Sequence, residues 1–396
     1  MSRAAQLRDR FGAWLGSVYR AQSKEFYSLL GYTLFLVAFG VVMVLSASSI
    51  DSLIANDNSV TTGLRQFVFA IGGLLAMSFL SILPVSFFRK RSEAFMRITL
   101  VIQLLVFFVG TEVNGNRNWI QIPILGFAIQ PSEFLKLAII IALAAHLSNN
   151  VDYLHDPQTW KKPFVLIVIA LGLVMLGRDL GTAIVMVLAF FGLMILAGLP
   201  NRLIAYSGIA ITVLGIGALM ASGSRRGRIL AWLNPDAPDP NGYLWQSEHG
   251  EWAIAAGRLF GVGLGESKMK WSWIPEVEND FIFAIVAEEF GLIGALVVIV
   301  IFILMARSFV RILNKTQDYF ARYIIYGVMI WIIFQALVNI AVVLRLLPVL
   351  GVPLPLISAG GSSMLATLMG VGVVLSIERS NHQNPSRTKP KPRGRR

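Results

Sequence analysis

Ten stretches of this chain are apolar over roughly the length that a helix needs to cross a lipid bilayer. A bilayer core of about 30 Å requires about 20 consecutive apolar residues in a helix. Because backbone groups inside lipid must be hydrogen-bonded within the protein, such runs predict helices rather than open strands. The ten runs lie at 27–48, 65–84, 96–111, 132–149, 163–177, 182–198, 202–222, 281–305, 322–346 and 362–378.

The composition excludes a soluble globular protein. The chain is 56% hydrophobic and only 14% charged, whereas a soluble domain has about 25% charged residues. The absence of cysteine excludes disulfides and thiolate metal sites, and four histidines argue against a histidine metal cluster. The sequence therefore predicts an all-α integral membrane protein of ten transmembrane helices.

The distribution of Lys and Arg predicts the orientation of these helices. If the N-terminus is cytoplasmic, 23 of the 34 basic residues fall in segments on the cytoplasmic side, as the positive-inside rule requires. We therefore expect both termini inside. Three segments, which we call the outer segments, then face outward: 111–131, 223–280 and 347–361. The second is a large loop between the seventh and eighth predicted helices.

The chain is predicted to contain one membrane domain with a basic segment at each end. Residues 1–26 have an amphipathic pattern and are expected to lie on the inner leaflet. Residues 27–378 form the ten-helix domain, and residues 379–396 are a basic, disordered cytoplasmic tail. The net charge of +12 is concentrated in these inner segments, where it attracts anionic lipid. We therefore expect no nucleic-acid partner.

Few ionisable residues lie inside the predicted helices, where they are costly and usually functional or paired. Glu133 and Lys136 are three residues apart and share a helix face. They predict a structural ion pair, with a catalytic role as the alternative. Glu288 and Glu289 are adjacent and point about 100° apart, so they do not form one paired-carboxylate site. Each is expected to bind a cation, cap a backbone group or face a cavity.

Asp280 occupies a special position at the end of the second outer segment. It directly precedes the apolar run FIFAIVAEEFG, which places a carboxylate at the water boundary of a membrane helix. It is either the N-cap of that helix or a catalytic group. The outer segments also contain many cations and the helix-breaking sequence PLPLISAGGSS. These features fit an enzyme acting on an anionic lipid-linked substrate, and they fit a lipid transporter equally well.

Six motifs in order resemble the SEDS family (shape, elongation, division and sporulation), and the cell-division members more than the elongation members. The resemblance covers about 27 to 378. The motifs are NGNRNWI (114–120), QPSEFLKL (130–137), RDLGT (178–182), LFGVGLGESKMKW (259–271), IPEVENDFIFAIVAEEFG (274–291) and NIAVVLRLLPVLGVPLPLISAGGSS (339–363).

The resemblance implies an inverting peptidoglycan glycosyltransferase. Members polymerise lipid II at the outer face of the cytoplasmic membrane and release undecaprenyl diphosphate, in this branch during septal wall synthesis. A lipid II flippase, an elongation-type polymerase and a non-catalytic scaffold remain alternatives. The implied partners are a class B penicillin-binding protein, which is a transpeptidase, and other membrane proteins of the division machinery. For the transpeptidase contact we expect the apolar faces of the eighth and ninth helices together with the loop 223–280. Small residues would allow close helix approach there, with packing inside the bundle as their alternative role: Gly291, Gly294, Ala295 and Gly327.

The family motifs also imply roles for individual residues. Asp280 matches the essential carboxylate and is predicted to remove the proton from the acceptor hydroxyl. Glu133 and Lys136 match a buried pair that supports the cavity. A divalent cation, Mg²⁺ or Mn²⁺, is expected at the diphosphate, with unknown ligands. Substrate contacts are predicted for Trp119, Arg117, Lys268, Lys270, Arg225, Arg226, Ser358 and Ser362.

The chain departs from the family pattern around the predicted cavity. It has Glu278-Asn279 where the family usually has His-Thr, and Gly177-Arg178 where Gln-Pro is usual. Ala359 replaces an aromatic residue, and the stretch Ser247–Gly250 carries more charge than expected. These differences put the details of the substrate and the rate of the reaction in question, but not the resemblance to the family.

Overall fold

A computed structural model describes residues 22–113, 116–122, 127–220 and 223–383 of the chain. The amphipathic segment predicted for residues 1–26 falls almost entirely outside the described residues, as does the basic tail beyond residue 383. The first helix begins at Lys24, where the hydroxyl of Ser23 accepts a hydrogen bond from the N–H of Phe26. The last helix continues past the predicted limit of 378 and ends at Gln383.

The described residues form thirteen α-helices and one small sheet. The helices are α1 (Lys24–Ala47), α2 (Ser49–Asn56), α3 (Thr61–Ile82), α4 (Val85–Val109), α5 (Pro131–Asn149), α6 (Lys161–Leu176), α7 (Leu180–Leu196), α8 (Asn201–Met220), α9 (Gly223–Leu233), α10 (Trp245–Gly257), α11 (Ile282–Lys315), α12 (Tyr319–Val343) and α13 (Gly361–Gln383). Two short 3₁₀ turns, Val151–Tyr153 and Pro157–Trp160, connect α5 to α6.

Eight helical segments within the described ranges are long and apolar enough to span a membrane. They correspond to α1, α3, α4, α5, α6 with its preceding turn, α11, α12 and α13. Two shorter apolar stretches, Leu180–Leu196 and Asn201–Gly217, cover the sixth and seventh predicted spans. The predicted class, a helical multi-pass membrane protein, is confirmed. The count of ten and the sidedness of the membrane stay predictions.

Two predicted helices are longer in the structure than the sequence indicated. The third begins at Val85 rather than residue 96, and the eighth continues to Lys315 rather than ending at residue 305. Both extensions carry Arg and Lys side chains, which lower the hydropathy without interrupting the helix. Hydropathy therefore predicts the apolar part of each helix correctly. The prediction that the polar helical turns beyond it belong to the connecting loops is wrong.

The polar ends of these helices are joined at one end of the bundle. Ion pairs connect Arg89 to Asp318 at 2.6 Å and Lys315 to Glu25 at 2.6 Å. Ser23 donates to Glu378 at 2.5 Å, which brings the start of α1 to the end of α13. These residues belong to the segments predicted to be cytoplasmic, so the structure gathers those segments at one end of the molecule.

The first outer segment contains a sheet that the sequence analysis did not predict. Strands β1 (Thr111–Val113), β2 (Asn116–Ile122) and β3 (Phe127–Ile129) form an antiparallel sheet in that order. Trp119 lies opposite Thr111, and Ile120 lies opposite Ile129. Because side chains alternate across a strand, the sheet presents Trp119 on one face and Ile120 on the other.

The second outer segment is anchored where α11 is interrupted. Gly291 has a left-handed φ of 68°, and an added Cβ there would collide with the backbone of Leu259 and Gly261. The interruption at Gly291 leaves backbone groups of α11 without partners inside the helix, and the chain before α11 forms hydrogen bonds with them. Val262 donates to the carbonyl of Glu288 at 2.9 Å, and Leu292 donates to the carbonyl of Arg258 at 2.8 Å. Glycine at 291 therefore permits the close approach that fixes the returning loop.

Candidate active site

The three outer segments meet at the end of the bundle opposite the Arg89–Asp318 and Lys315–Glu25 ion pairs and enclose a cavity of about 610 Å³. Trp119 and Phe127 of the sheet line it, and so does Asn279 before α11. Gly360 contributes from the third outer segment, and Arg65 contributes from α3. The N–H of Ala359 donates to the carbonyl of Glu278 at 2.8 Å, which ties the second outer segment to the third. We call this space the first cavity.

Asp280 follows Asn279, which lines this cavity, and is not the helix N-cap. The N-cap of α11 is Phe281, and no side chain caps that helix. The backbone carbonyl of Asp280 accepts a hydrogen bond from Asn339 of α12 at 2.7 Å. Asn339 also donates to the carbonyl of Val352 at 2.7 Å. One buried amide thus fixes the backbone of Asp280 relative to the third outer segment without engaging its carboxylate.

A second cavity of about 320 Å³ has a cationic lining. It contains Arg178, Arg225 and Arg228, together with Asp179. Arg225 donates to the backbone carbonyl of Arg178 at 2.6 Å, so these two residues hold each other in place. Arg226, which was predicted to contact substrate, is exposed on α9 and does not line either cavity.

Asp280 interacts electrostatically with the second cavity. Burial raises the pKa of Asp280 to about 6, and a hydrogen bond from its own backbone N–H opposes this shift. Glu276 and Glu278 raise the pKa further, whereas the positive charge of Arg228 lowers it. Asn279, the adjacent residue, lines the first cavity. Asp280 thus follows a residue that lines the first cavity and interacts electrostatically with a residue that lines the second.

The two predicted substrate residues of the sheet have different surroundings. Trp119 lines the first cavity and is half-buried. Arg117 is exposed, and its guanidinium donates to the carbonyl of Gly110 at 3.0 Å. Its backbone N–H donates to the carbonyl of Gly177 at 3.1 Å. This bond attaches the sheet to the residue that precedes Arg178, which lines the second cavity. The geometry thus brings Trp119 to the first cavity and uses Arg117 to hold the sheet.

The hydroxyls of the two predicted serines are engaged within the protein. Ser358 accepts from the N–H of Leu354 at 2.8 Å, and Ser362 accepts from the N–H of Gln130 at 2.9 Å. The carbonyl of Ser358 also accepts from Gln66 at 2.9 Å. Both serines are buried, so they shape the wall of the first cavity from behind.

The two predicted lysines of the second outer segment are not near the arginine cavity. Lys268 is exposed, and its backbone N–H donates to the carboxylate of Glu288 at 2.9 Å. Lys270 is buried, donates to the carbonyl of Gly265, and lies 3.9 Å from the carboxylate of Glu289. The ammonium group of Lys270 therefore binds within the protein, whereas that of Lys268 faces outward.

Both buried glutamates of α11 have internal partners. Glu288 accepts from the hydroxyl of Ser267 at 2.5 Å, and Glu289 accepts from the hydroxyl of Ser46 at 2.7 Å. As expected from their 100° separation, they face different neighbours. Together with Lys270 they fasten the loop that leads to Asp280.

Glu133 and Lys136 form a buried ion pair in the first turns of α5, with Nζ and Oε1 2.9 Å apart. Lys136 also donates to Gln335 at 3.1 Å and lies 4.9 Å from the centre of the Trp331 ring. Gln335 in turn donates to the carbonyl of Pro353 at 2.9 Å. The pair is thus connected through one amide to the third outer segment, a geometry that suits a supporting role.

The described residues contain no preformed metal site. No group of three or more His, Asp or Glu side chains that could hold a metal ion occurs among them. Mg²⁺ usually binds one or two carboxylates together with substrate phosphates, so Asp280 and a bound diphosphate would have to supply the ligands jointly.

The sequence profile of the FtsW/RodA/SpoVE family, described as cell cycle proteins, matches residues 27–383. The chain belongs to this family. It is 36% identical to the probable peptidoglycan glycosyltransferase FtsW of Mycobacterium tuberculosis, over 95% of this chain and 71% of that protein. It is 35% identical to stage V sporulation protein E of Bacillus subtilis, over 88% of this chain and 95% of that protein.

Solved structures of FtsW/RodA/SpoVE-type proteins share the fold. The rod shape determining protein RodA of Thermus thermophilus superposes with a TM-score of 0.67 at 26% identity, covering 92% of this chain and 98% of that chain. A chain from a structure of a peptidoglycan synthase complex that coordinates polymerization and crosslinking superposes with a TM-score of 0.74 at 27% identity. That match covers 92% of this chain and all of the other.

Several residues of this FtsW/RodA/SpoVE-type site were missed in the sequence. Arg65 and Gln66 line the first cavity, and Arg178 and Arg228 line the second. Arg65 stands at the start of an apolar run, which was a usable signal because a charge there is costly. Arg178 was noticed as a departure from the family pattern, and its left-handed φ of 63° turns the chain between α6 and α7. Gln66 gave no comparable signal.

Proposed function

We propose that this chain polymerises lipid II into glycan strands at the outer face of the cytoplasmic membrane, as the peptidoglycan glycosyltransferase of the division septum. The observation that supports this most directly is the position of Asp280. It is a carboxylate with a raised pKa that follows a residue of the first cavity and interacts with Arg228 of the second, and both cavities are lined by arginine. The similarity to proteins named FtsW, at 33–36% identity over most of the chain, supports the septal role over the elongation role.

The proposed chemistry is an inverting displacement at an anomeric carbon. Asp280 removes the proton of the acceptor sugar hydroxyl, whose oxygen forms the new glycosidic bond as the bond to the lipid diphosphate breaks. A base for the hydroxyl and positive charge for the leaving group are the two requirements. Arg178, Arg225 and Arg228 provide that positive charge in the second cavity. Trp119 offers an indole face to a sugar in the first cavity.

A divalent cation that arrives with the diphosphate belongs to this proposal, and it would add positive charge at the leaving group. Because the described residues contain no preformed metal site, the cation should bind weakly without substrate. We expect EDTA to abolish glycan synthesis and added Mg²⁺ or Mn²⁺ to restore it. The melting temperature of the substrate-free protein should not change. Full activity in EDTA would contradict this part of the proposal.

The pH dependence of the rate follows from the pKa of Asp280. A base must be deprotonated, and the pKa of this carboxyl is about 6. We therefore expect kcat/KM to be constant above that pH and to fall about tenfold per unit below it. The measurement is initial-rate glycan synthesis in detergent between about pH 4.5 and 8, after checking that the protein stays folded. A rate that continues unchanged to about pH 4.5, near the ordinary pKa of Asp, would contradict the assignment.

The proposed protein partner is a class B penicillin-binding protein, with other division proteins nearby. The small residues predicted for this contact are mostly used inside the bundle. Ala295 is buried, Gly327 packs against Ile140, and Gly291 packs against the returning loop. A side chain at Gly294 would collide with Phe290 of the same helix. We therefore propose a contact surface made of other residues.

We place the contact on an exposed apolar stripe of α11: Leu292, Leu296 and Val300 are 47–49% exposed and recur at every fourth residue. The triple change of these residues to Ala should reduce the amount of transpeptidase that co-purifies, because close helix packing drives association in membranes. Changing Ile209 and Val213, which are both 63% exposed on α8, to Ala is the matched control. Equal losses in both variants would exclude a specific contact at α11.

Transport of lipid II is the alternative function, and the surroundings of two glutamates of α11 favour polymerisation over it. A transporter is expected to place free polar groups at the bilayer midplane, and Glu288 and Glu289 were the candidates. Both carboxylates bind neighbouring serines in the structure. Proteoliposomes with fluorescent lipid II in the inner leaflet would separate the two functions. A polymerase lengthens glycan from accessible lipid II without moving lipid across the bilayer. A flippase moves lipid II across the bilayer without lengthening glycan.

A further inference from the structure

Four aromatic rings form a cluster beside the active site that the proposed reaction does not use. Trp245, His249 and Trp252 lie on one face of α10, and Trp273 joins them from the returning loop. The ring centroids of His249 are 4.0 Å from Trp245, 4.5 Å from Trp252 and 5.5 Å from Trp273. His249 is buried, whereas the three indoles are 44–56% exposed. The cluster thus has a buried imidazole and an open indole surface.

The indole surface is held rigidly. The planes of Trp245 and Trp273 differ by 17° with centroids 6.2 Å apart, so two nearly parallel rings are presented together. The indole N–H of Trp245 donates to the carbonyl of Trp273 at 2.6 Å. Nδ1 of His249 lies 2.8 Å from the carbonyl of Trp245 and must donate, because a carbonyl only accepts. Nε2 of His249 is buried and has no hydrogen-bond partner.

The cluster is continuous with the active site. Gly250, next to His249, packs against the ring of Phe281, and an added Cβ would come within 3.1 Å of that ring. Gln246 donates to the carbonyl of Pro275 at 3.1 Å, on the segment that leads to Asp280. The helix that carries two of the indoles therefore packs directly on the residues that flank Asp280.

We propose that Trp245, Trp252 and Trp273 form a stacking platform for the sugar rings of a β-linked amino-sugar strand. The apolar faces of pyranose rings pack on indoles, and the sugar hydroxyls need polar groups at the rim. Glu248 and Glu251 lie on the same helix, and Glu251 pairs with Arg345 at 3.0 Å. A membrane-anchoring belt is the rival use of exposed tryptophan. In such a belt the indole N–H points to lipid headgroups, whereas that of Trp245 is bonded inside the protein.

This inference rests on the proposed function for the identity of the strand, and its test does not need turnover. The probe is the β-1,4-linked tetramer of N-acetylglucosamine, titrated into the purified full chain in lipid nanodiscs. We expect Trp252→Ala and Trp273→Ala each to weaken binding about tenfold, which corresponds to about 1.4 kcal/mol. Trp273→Phe should retain part of the affinity. In glycan synthesis, both Ala variants should give strands several-fold shorter than the parent.

Trp271→Ala is the matched control, because Trp271 is 62% exposed in the same loop. It should bind the tetramer as the parent does. The platform is overturned if the parent does not bind the tetramer, or if the Ala variants bind as tightly as Trp271→Ala. It is also overturned if brominated phosphatidylcholine in the nanodisc quenches Trp252 and Trp273, the result expected of a membrane anchor. If the parent binds the tetramer but never polymerises lipid II, the proposed function fails and the platform stands.

Discussion

Asp280→Asn should abolish glycan synthesis and leave the protein at least as stable as the parent. The amide retains the shape of the side chain but cannot accept the hydroxyl proton. The pKa of Asp280 in the folded state, about 6, is above the ordinary value of about 3.9, so ionisation near pH 7 opposes folding by about 2–3 kcal/mol. An uncharged Asn removes this cost. The measurements are lipid II polymerisation and the thermal melting temperature of the same purified sample.

A matched control distinguishes this result from a general loss of negative charge in the loop. Glu266 is exposed on the same segment as Asp280, and Glu266→Gln should polymerise lipid II at the parental rate. If Asp280→Asn remained active at near-normal rate, Asp280 would not be the base. If it melted well below the parent, the carboxylate would have a structural role that its surroundings do not indicate.

Breaking the Glu133–Lys136 pair should destabilise the protein strongly. Both side chains are almost fully buried, and removal of one partner leaves an uncompensated charge at a cost of about 3–5 kcal/mol. We expect Glu133→Ala and Lys136→Ala each to lower the melting temperature and the yield in the membrane. The double variant should recover part of the loss, because neither charge is then left alone. The measurement is thermal unfolding in detergent for the complete mutant cycle.

The same cycle tests whether the pair is catalytic. Gln335 connects Lys136 to the carbonyl of Pro353 in the third outer segment, so activity should fall only to the extent that folding does. Arg89→Ala, which breaks an exposed ion pair with Asp318, serves as the control and should change stability little. If both single variants melted like the parent and still lost activity, the supporting role would be wrong and a catalytic role would replace it.

The membrane helices could be predicted because their signal is local. An apolar run of sufficient length forms a helix in lipid, because only a helix satisfies all its backbone hydrogen bonds within one segment. Each predicted run coincides with a helix. The ends were less predictable where a helix continues with polar residues, as in Val85–Val109 and Ile282–Lys315. The sheet at Trp119 was missed because its strands are short and lie within a loop that the apolar pattern does not describe.

The site was predictable to the extent that single positions carry a signal. Asp280 was identifiable from its place at the end of an apolar run and from the family motif. The second cavity was not predictable, because it forms only where the turn at Arg178 meets α9, and these two segments are far apart in the sequence. The prediction that Lys270 contacts substrate rests on its match to a basic position of the family motif and on its charge. Its buried partner, Glu289, lies on another element, and such pairings become visible only in three dimensions.

The most direct test of the account is polymerisation by the purified chain alone. Fluorescent lipid II would be incubated with the parent protein and with Asp280→Asn, with no transpeptidase present, and the products would be separated by length on a gel. We expect a ladder of glycan strands from the parent and unreacted lipid II from the variant. A second reaction would contain the folded parent protein together with a divalent cation and a class B penicillin-binding protein. Lipid II that is still unreacted in that reaction would contradict the proposed polymerase activity.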